Sequence, residues 1–364
     1  MLKVGIIGCG VIFDLNILGY LNNPDVKITC LCNRTIEKAQ DKIKKFGLDK
    51  DISLYSDYKE MLKQEDLDIV EILLPHNLHA KATIAAAENS VKGISVQKPM
   101  ALSLEEADLM INACKQSGSI LSIYENFIFA PHILKAKELL DKGYLGDLLS
   151  FRIKTAMGKK GGWIVPKSSE EWRIIPKKVG GSKKGSPVLF DNGWHNFVLA
   201  CWFFNNRIEK VFAWTDNYQG IDAPAYVMFK YKQEIDQTVP QYGSMEFCLM
   251  PEMEIPSKYY PTDEFIEISG TQGIIWINQG TSIGNKMSES HIFPPIVIYK
   301  EGQIESLSEF EKDWKYSFIN ATHHFINVIK NNGEPILSGT QARRILNFNL
   351  ATIKSAETEK IIFL

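Results

Sequence analysis

An excess of charge of either sign is missing from this sequence. Its 41 Lys and Arg stand against 43 Asp and Glu, a net charge of −2. That balance leaves no electrostatic footprint for a nucleic acid and no polybasic patch for a membrane surface. No apolar run is long enough to span a bilayer. The opening MLKVGIIG enters a strand pattern directly, without a charged leader or a cleavage site. No signal peptide is therefore expected, and the cytoplasm is the expected compartment. Cysteine is sparse, with six residues at 9, 30, 32, 114, 201 and 248, mostly inside apolar runs. Their spacing gives neither a disulfide framework nor a ligand set for a metal, so buried thiols and no metal are expected.

The 364 residues suffice for two domains. The first third alternates strand and helix. KVGIIG, VKITCLC, LDIVEILLP, GISV and SILSIY read as strands, and residues 11–23, 35–46, HAKATIAAAEN and SLEEADLMINACKQSG as helices. Strands that are apolar throughout, each followed by a helix, predict a doubly wound parallel sheet covered on both faces, an α/β Rossmann arrangement. After about residue 126 strand follows strand: DLLSFRIKT, IEKVFAWTD, YVMFKYK, YGSMEFCLM, EFIEISG, GIIWIN. That order predicts an α+β unit with a large, mostly antiparallel open sheet. Two helices close the chain, roughly over 308–333 and 339–360. The basic, Gly-rich stretch 177–186 reads as a surface loop more readily than as a phosphate site.

Four stretches concentrate chemistry. In GIIGCGVIF, Gly8 and Gly10 follow the first strand. A tight turn needs the first glycine, and close approach of backbone to a pyrophosphate needs the second. A third small residue is replaced by Phe13. The second strand ends in Cys32-Asn33-Arg34-Thr35, with no carboxylate to bind a ribose and repel a 2′-phosphate. Arg34 can bind that phosphate, stack on adenine or stand in solvent. LLPHNLHA ends the fourth strand at the edge where such sheets bind ligands, which makes Pro75, Asn77 and His79 lining candidates, with His76 and His79 as positioning groups. In GISVQKPMALS a short buried strand runs into Lys98-Pro99 before a helix start at Ser103, and locally Lys98 is either a solvated strand end or a reacting group.

FDNGWHNF sets Asp191 and His195 four residues apart. On a helix from Gly193 the two face one way, and a carboxylate beside an imidazole suits proton abstraction from an alcohol. The alternative is an N-cap aspartate with a surface histidine. Trp163, Trp172-Arg173 and Trp194 gather in the same region, where rings would pack on the C–H faces of a sugar or simply fill a core.

Together these pieces resemble the Gfo/Idh/MocA family (glucose–fructose oxidoreductase, inositol dehydrogenase, rhizopine catabolism), nearly end to end. GIIGCGVI matches its glycine fingerprint, Gln97-Lys98-Pro99 its Glu-Lys-Pro motif, and Asp191, Gly193 and His195 its Asp-x-Gly-x-His signature. FIEISGTQGIIWIN and the closing helices match as well. The resemblance implies a nicotinamide-dependent oxidoreductase acting on a secondary alcohol of a sugar, polyol or glycoside, with NAD(H) or NADP(H). It makes Lys98, Asp191 and His195 catalytic. It gives the cofactor Gly8, Gly10, Val11, Ile12, Asn33, Arg34, Pro75, Asn77, His79, Gln97, Lys98 and Asn126. It gives the substrate Tyr124, Trp163, Trp172, Arg173, Asn192 and Trp194. Gln97 in place of glutamate keeps a hydrogen-bonding group and removes a charge beside Lys98. The expected domains are 1–125 for the dinucleotide and 126–364 for substrate and assembly into a homodimer or homotetramer, with a closing helix packed back on the first. Two family relatives set alternatives: a glycosidase-like enzyme that oxidises a ring carbon transiently and recycles bound NAD, and a dinucleotide-binding regulator of a sugar pathway, which would not need Lys98, Asp191 and His195.

Overall fold

The computed structural model describes residues 1–364 except 50, 161–179, 181–187, 234–238, 256–258, 279–292 and 312. Trp163, Trp172, Arg173 and all of 177–186 but Gly180 lie outside the described residues. The chain divides into two compact units.

Unit 1 takes the described residues of Met1–Asn126, Val165–Gly180 and Phe318–Leu346. Its strands are β1 (Leu2–Ile7), β2 (Val26–Cys32), β3 (Ser53–Tyr55), β4 (Ile69–Ile72), β5 (Gly93–Gln97) and β6 (Ile120–Tyr124). They pair in parallel in the order β3-β2-β1-β4-β5-β6. The order reverses between β1 and β4, the point where a doubly wound sheet opens its ligand crevice. Val4, Ile6, Ile69, Val70, Ile72, Ile94 and Val96 are sealed from solvent, as strands covered on both faces require. Around the sheet run α1 (Phe13–Asn16), α2 (Ile36–Phe46), α3 (Tyr58–Gln64), α4 (His79–Glu88) and α5 (Leu104–Ser117). Ser103 Oγ accepts the Glu106 N–H at 3.2 Å and Glu106 Oε2 accepts the Leu102 N–H at 3.0 Å, a close variant of the capping box that starts α5 where the sequence placed it. The helix expected over 11–23 is shorter. It stops at Asn16 and tightens into a 3-10 turn at Ile17–Gly19. A Cβ on Gly19 would lie 2.3 Å from Thr322, so the backbone here follows a close contact far along the chain rather than local helix preference.

Unit 2 takes the described residues of Phe127–Ile164, Gly181–Ser317 and Asn347–Leu364. After α6 (Pro131–Asp141) come β7 (Leu148–Lys160), α7 (Trp194–Phe204), β8 (Ile208–Thr215), β9 (Ala225–Tyr231), β10 (Tyr242–Glu254), β11 (Thr262–Gly270), β12 (Gly273–Asn278), β13 (Ile296–Lys300) and β14 (Gln303–Leu307). With β15 (Ile362–Phe363) they form a sheet ordered β14-β13-β12-β11-β7-β10-β9-β8-β15, antiparallel except where β10 meets β7. Burial alternates along β9, as expected when a sheet has one covered face. α7 lies on the covered face, tied by Asn196 Nδ2 to Thr155 Oγ1 (2.9 Å) and by the Tyr231 hydroxyl to the Ala200 carbonyl (2.9 Å). Large side chains stand exposed on the sheet: Trp214 (53%), Tyr226 (49%) and Met228 (47%).

The closing helices are α8 (Lys315–Asn331) and α9 (Gly339–Thr358), with α8 starting later than expected. Most of α8 and the start of α9 belong to unit 1, where Phe325, Ile326 and Ile329 join Val4, Ile28 and Ile69 in one apolar cluster. Among the described residues no helix is long and apolar enough to cross a membrane, and no group of His, Cys, Asp and Glu could hold a metal ion. The six cysteines are free thiols, and burial pushes Cys9, Cys30, Cys32 and Cys114 up to about 12.

Candidate functional site

In unit 1 the loop after β1 is shaped by two glycines with different duties. Gly8 has φ +106°, and a Cβ there would sit 2.4 Å from the Leu73 carbonyl oxygen. Only glycine fits the turn. Gly10 is exposed, and a Cβ on it would meet nothing within 4 Å. Among the described residues no atom uses that space, which leaves open backbone where a pyrophosphate could approach. Val11 and Ile12 follow half-buried. Phe13, in place of a small residue, is fully buried against Phe46 of α2 at 6.1 Å, so its ring is absorbed by the core and does not close the loop.

The end of β2 braces this loop. Asn33 Oδ1 accepts the Cys9 N–H at 3.1 Å while its Nδ2 donates to the Thr35 carbonyl at 2.7 Å. The Asn33 amide is thus spent inside the protein. Arg34 is exposed, with no hydrogen bond or ion pair to the described residues.

The segment after β4 lies at the carboxyl edge of the sheet. Pro75 and Asn77 are half-buried, and Asn77 Oδ1 is shielded from solvent with no partner among the described residues. An orphaned acceptor of this kind fits a ligand that brings a donor. His79 is fully buried, and its ring nitrogens sit 2.9 Å from the Pro99 carbonyl and 2.8 Å from the Leu74 carbonyl. It therefore joins the β4 loop to the residue after Lys98. His76 packs beside it, with ring centres 5.6 Å apart. Gln97 ends β5, nearly buried, with Nε2 on Asn16 Oδ1 at 3.1 Å. Lys98 is half-buried before a cis Lys98-Pro99 bond. Asn126 is buried just past β6. Tyr124 is buried in unit 1, where its hydroxyl donates to the Phe318 carbonyl at 3.0 Å, and burial holds it well above its usual range.

In unit 2 Asp191 lies in a single π-helical turn, Val188–Asn192, one residue before α7 starts at Trp194. The helix expected from Gly193 begins at Trp194, with Gly193 as its N-cap, and Asp191 lies in the turn before it. Remote groups hold it there: Asp222 Oδ1 accepts the Val188 N–H, and Asn349 Nδ2 donates to the Leu189 carbonyl at 2.8 Å. A Cβ on Gly193 would lie 2.6 Å from the Leu189 carbonyl oxygen, which explains the glycine between Asp191 and His195. Asp191 is buried, Asn192 is exposed and His195 is half-buried. The His195 ring stacks on Phe127, with centroids 3.9 Å apart and planes within 13°. Trp314 meets the same Phe127 ring edge-on, and Tyr259 packs on Trp314 at 5.1 Å. This aromatic wall was not anticipated from the sequence. Its only signal was Phe127, three residues past the sixth strand. Trp194 is fully buried, with no partner for its indole nitrogen among the described residues.

Comparison with known proteins agrees with this frame. Residues 2–125 match the model of the GFO/IDH/MocA oxidoreductase family with an NAD-binding Rossmann fold, and residues 133–276 match the GFO/IDH/MocA C-terminal domain. The chain is 29% identical over 182 residues to an oxidoreductase of Streptococcus pneumoniae, a match spanning 50% of this chain and only 46% of that protein. It is 23% identical over 370 residues to D-apiose dehydrogenase of Paraburkholderia graminis, covering 99% and 89% of the two. The solved structure of a levoglucosan dehydrogenase in complex with NADH and levoglucosan shares the fold at TM-score 0.77 and 21% identity, covering 100% of this chain and 99% of that one. With the glycine loop, the doubly wound sheet and both domain matches in place, the chain belongs to the Gfo/Idh/MocA family of oxidoreductases and carries that family's NAD-binding Rossmann domain.

Proposed function

We propose that this protein oxidises a secondary alcohol of a sugar, polyol or glycoside, passing the hydride to NAD or NADP. The observation that carries the reading is His195 stacked on an aromatic wall of Phe127, Trp314 and Tyr259, four residues after a buried carboxylate at Asp191. Aromatic faces suit the C–H surfaces of a sugar, and the imidazole suits its hydroxyl. The names of its relatives, D-apiose dehydrogenase and levoglucosan dehydrogenase, support the substrate class.

A nicotinamide cofactor held by unit 1 would supply the acceptor for the hydride of the carbinol carbon. His195 takes the hydroxyl proton as general base. Lys98 hydrogen-bonds the same oxygen and stabilises the negative charge that grows on it. Asp191 orients His195 or a neighbouring substrate hydroxyl. Gly8 makes the turn, and Gly10, Val11 and Ile12 would hold the pyrophosphate of the cofactor. Asn77 Oδ1 would accept a hydrogen bond from the cofactor. Asn33 braces the loop through its own hydrogen bonds. Arg34, exposed at the end of a strand with no carboxylate beside it, tolerates a 2′-phosphate, so NADP binds as well as NAD. The exposed sheet face at Trp214, Tyr226 and Met228 pairs with a second copy of the chain in a homodimer or homotetramer.

The test is to strip the protein of cofactor, titrate NAD and NADP, and follow reduced-nicotinamide absorbance against a panel of sugars, polyols and glycosides. Turnover with at least one member supports the reading. Saturable cofactor binding without turnover on any member refutes it.

A further inference from the structure

Unit 1 holds a carboxyl that the proposed chemistry does not use. Glu71 lies on β4, fully buried. Its neighbour across the sheet is Ser95 on β5, whose hydroxyl bonds it. Asn16 Nδ2 donates to Glu71 Oε1 at 3.0 Å, and the Tyr20 hydroxyl donates to Oε2 at 2.7 Å. Asn16 is itself fully buried, and its Oδ1 accepts from Gln97 Nε2 at 3.1 Å. Gln97 stands two residues beyond Ser95 on the same face of β5 and directly precedes Lys98.

The chemistry of these groups fixes a direction along the chain of bonds. An ionised carboxylate can only accept. Asn16 must therefore turn its amino end to Glu71, which leaves its oxygen facing Gln97. Gln97 must then turn its own amino end to Asn16, which leaves Oε1 as an acceptor. Among the described residues nothing donates to that oxygen. Without a group of fixed polarity at the start, the two amides could both reverse with little change of shape, since the oxygen and nitrogen ends are nearly equal in size.

We infer that Glu71 is a positioning residue that acts through Asn16 to hold the Gln97 amide with its oxygen outward, as the acceptor for the carboxamide N–H of the bound nicotinamide. The inference rests on the reading that the carboxyl ends of β4 and β5 receive the nicotinamide. Glu71 touches neither cofactor nor substrate. Its contribution is the polarity it imposes on two neutral side chains. The titratable groups that face it are the Tyr20 and Tyr124 phenols, both held well above their usual range by burial.

The test compares NAD with its 3-acetylpyridine analogue, which replaces the carboxamide amino group by methyl and so lacks the donor. Burial pushes Glu71 up to about 7, so binding is measured roughly two pH units higher, where the carboxylate is fully formed. The parent should bind NAD about tenfold more tightly than the analogue, the scale of one hydrogen bond. Glu71→Met and Gln97→Met should each reduce that ratio to about twofold or less. The double variant Glu71→Gln/Asn16→Asp moves the carboxylate one place along the relay and still presents an acceptor to the Gln97 amino end. It should restore the ratio to near its parental value. General loosening of the fold would weaken both ligands and leave the ratio unchanged. A parental ratio retained in Glu71→Met, or a double variant that fails to recover it, overturns the relay. A parent that does not discriminate overturns the placement of the carboxamide at Gln97, and the relay with it. Retention of the ratio in Gln97→Met has the same meaning, and it can be read even where Glu71→Met does not fold.

Discussion

Gly8 and Gly10 stand two residues apart in one loop, yet the structure assigns opposite signs to their replacement by alanine. At Gly8 the backbone has φ +106°, a conformation that costs an L-residue roughly 1–3 kcal/mol. The new Cβ would also lie 2.4 Å from the Leu73 carbonyl oxygen and 2.9 Å from its carbon. Those are backbone atoms, in a residue whose N–H is held by the Ile7 carbonyl at 2.8 Å, so relief requires moving β1 against β4. Overpacking of that kind adds about 1–3 kcal/mol. Gly8→Ala should therefore lose roughly 2–6 kcal/mol, a large part of the ~5–15 kcal/mol that holds a typical domain. At Gly10 φ is not positive and the Cβ would meet nothing within 4 Å. Alanine there restricts the unfolded chain and should stabilise by roughly 0.4–1 kcal/mol. The same methyl occupies the space proposed for the pyrophosphate, so NAD affinity should fall at least ~10-fold, about 1.4 kcal/mol. Urea denaturation of the cofactor-free protein and fluorescence titration with NADH measure the two effects separately. A Gly10→Ala protein that is less stable than the parent, or that binds NADH as well as the parent does, would refute the division of labour. So would a Gly8→Ala protein of parental stability.

Lys98→Ala should keep cofactor affinity and lose at least ~10² in turnover, the scale of a lost electrostatic or acid–base group; near-parental turnover would remove Lys98 from the chemistry. Oxidation should rise with pH as the base loses its proton, and His195→Asn should abolish that limb along with most of the activity. A limb that survives in this variant and vanishes in a Lys98 variant makes Lys98 the base. Burial raises Asp222 from 3.8 to about 7, so between those values the native state holds a proton that the unfolded state has released. Stability should then fall as pH rises through that window and level off above it, by up to ~4 kcal/mol from this group, and Asp222→Asn should remove its share of the slope in denaturation midpoints measured across the range. Arg34→Glu should weaken NADP far more than NAD; an equal effect on both would mean that Arg34 stacks on adenine or stands in solvent.

The sheet of unit 1 was legible because strands buried on both faces read as unbroken apolar runs. The start of α5 was legible because Ser103 and Glu106 carry their capping chemistry locally. What failed to show was set by distant contacts. The early end of α1 depends on Thr322 against Gly19, and the π turn under Asp191 depends on Asp222 and Asn349. Residue type marks Tyr124 and Trp194 as sugar-binding candidates, but an aromatic ring serves a core equally well. Here the Tyr124 hydroxyl is held by the Phe318 carbonyl, and Trp194 is sealed from solvent. Conversely, the stacking of Phe127 on His195 joins segments far apart in sequence, and no local pattern announces it. Asn33 was visible as a candidate, but its amide bonds to Cys9 and Thr35 became visible only with the loop folded.

The most direct test of the central claim is to follow one atom. Protein loaded with NAD is mixed with sugars, polyols and glycosides carrying deuterium on their carbinol carbons, and the cofactor is recovered and weighed by mass spectrometry. Direct hydride transfer places deuterium on the nicotinamide ring of the reduced cofactor for at least one member of the panel, and not in the Lys98→Ala protein. Reduced cofactor without the label, or bound cofactor that is never reduced by any member, would contradict the account.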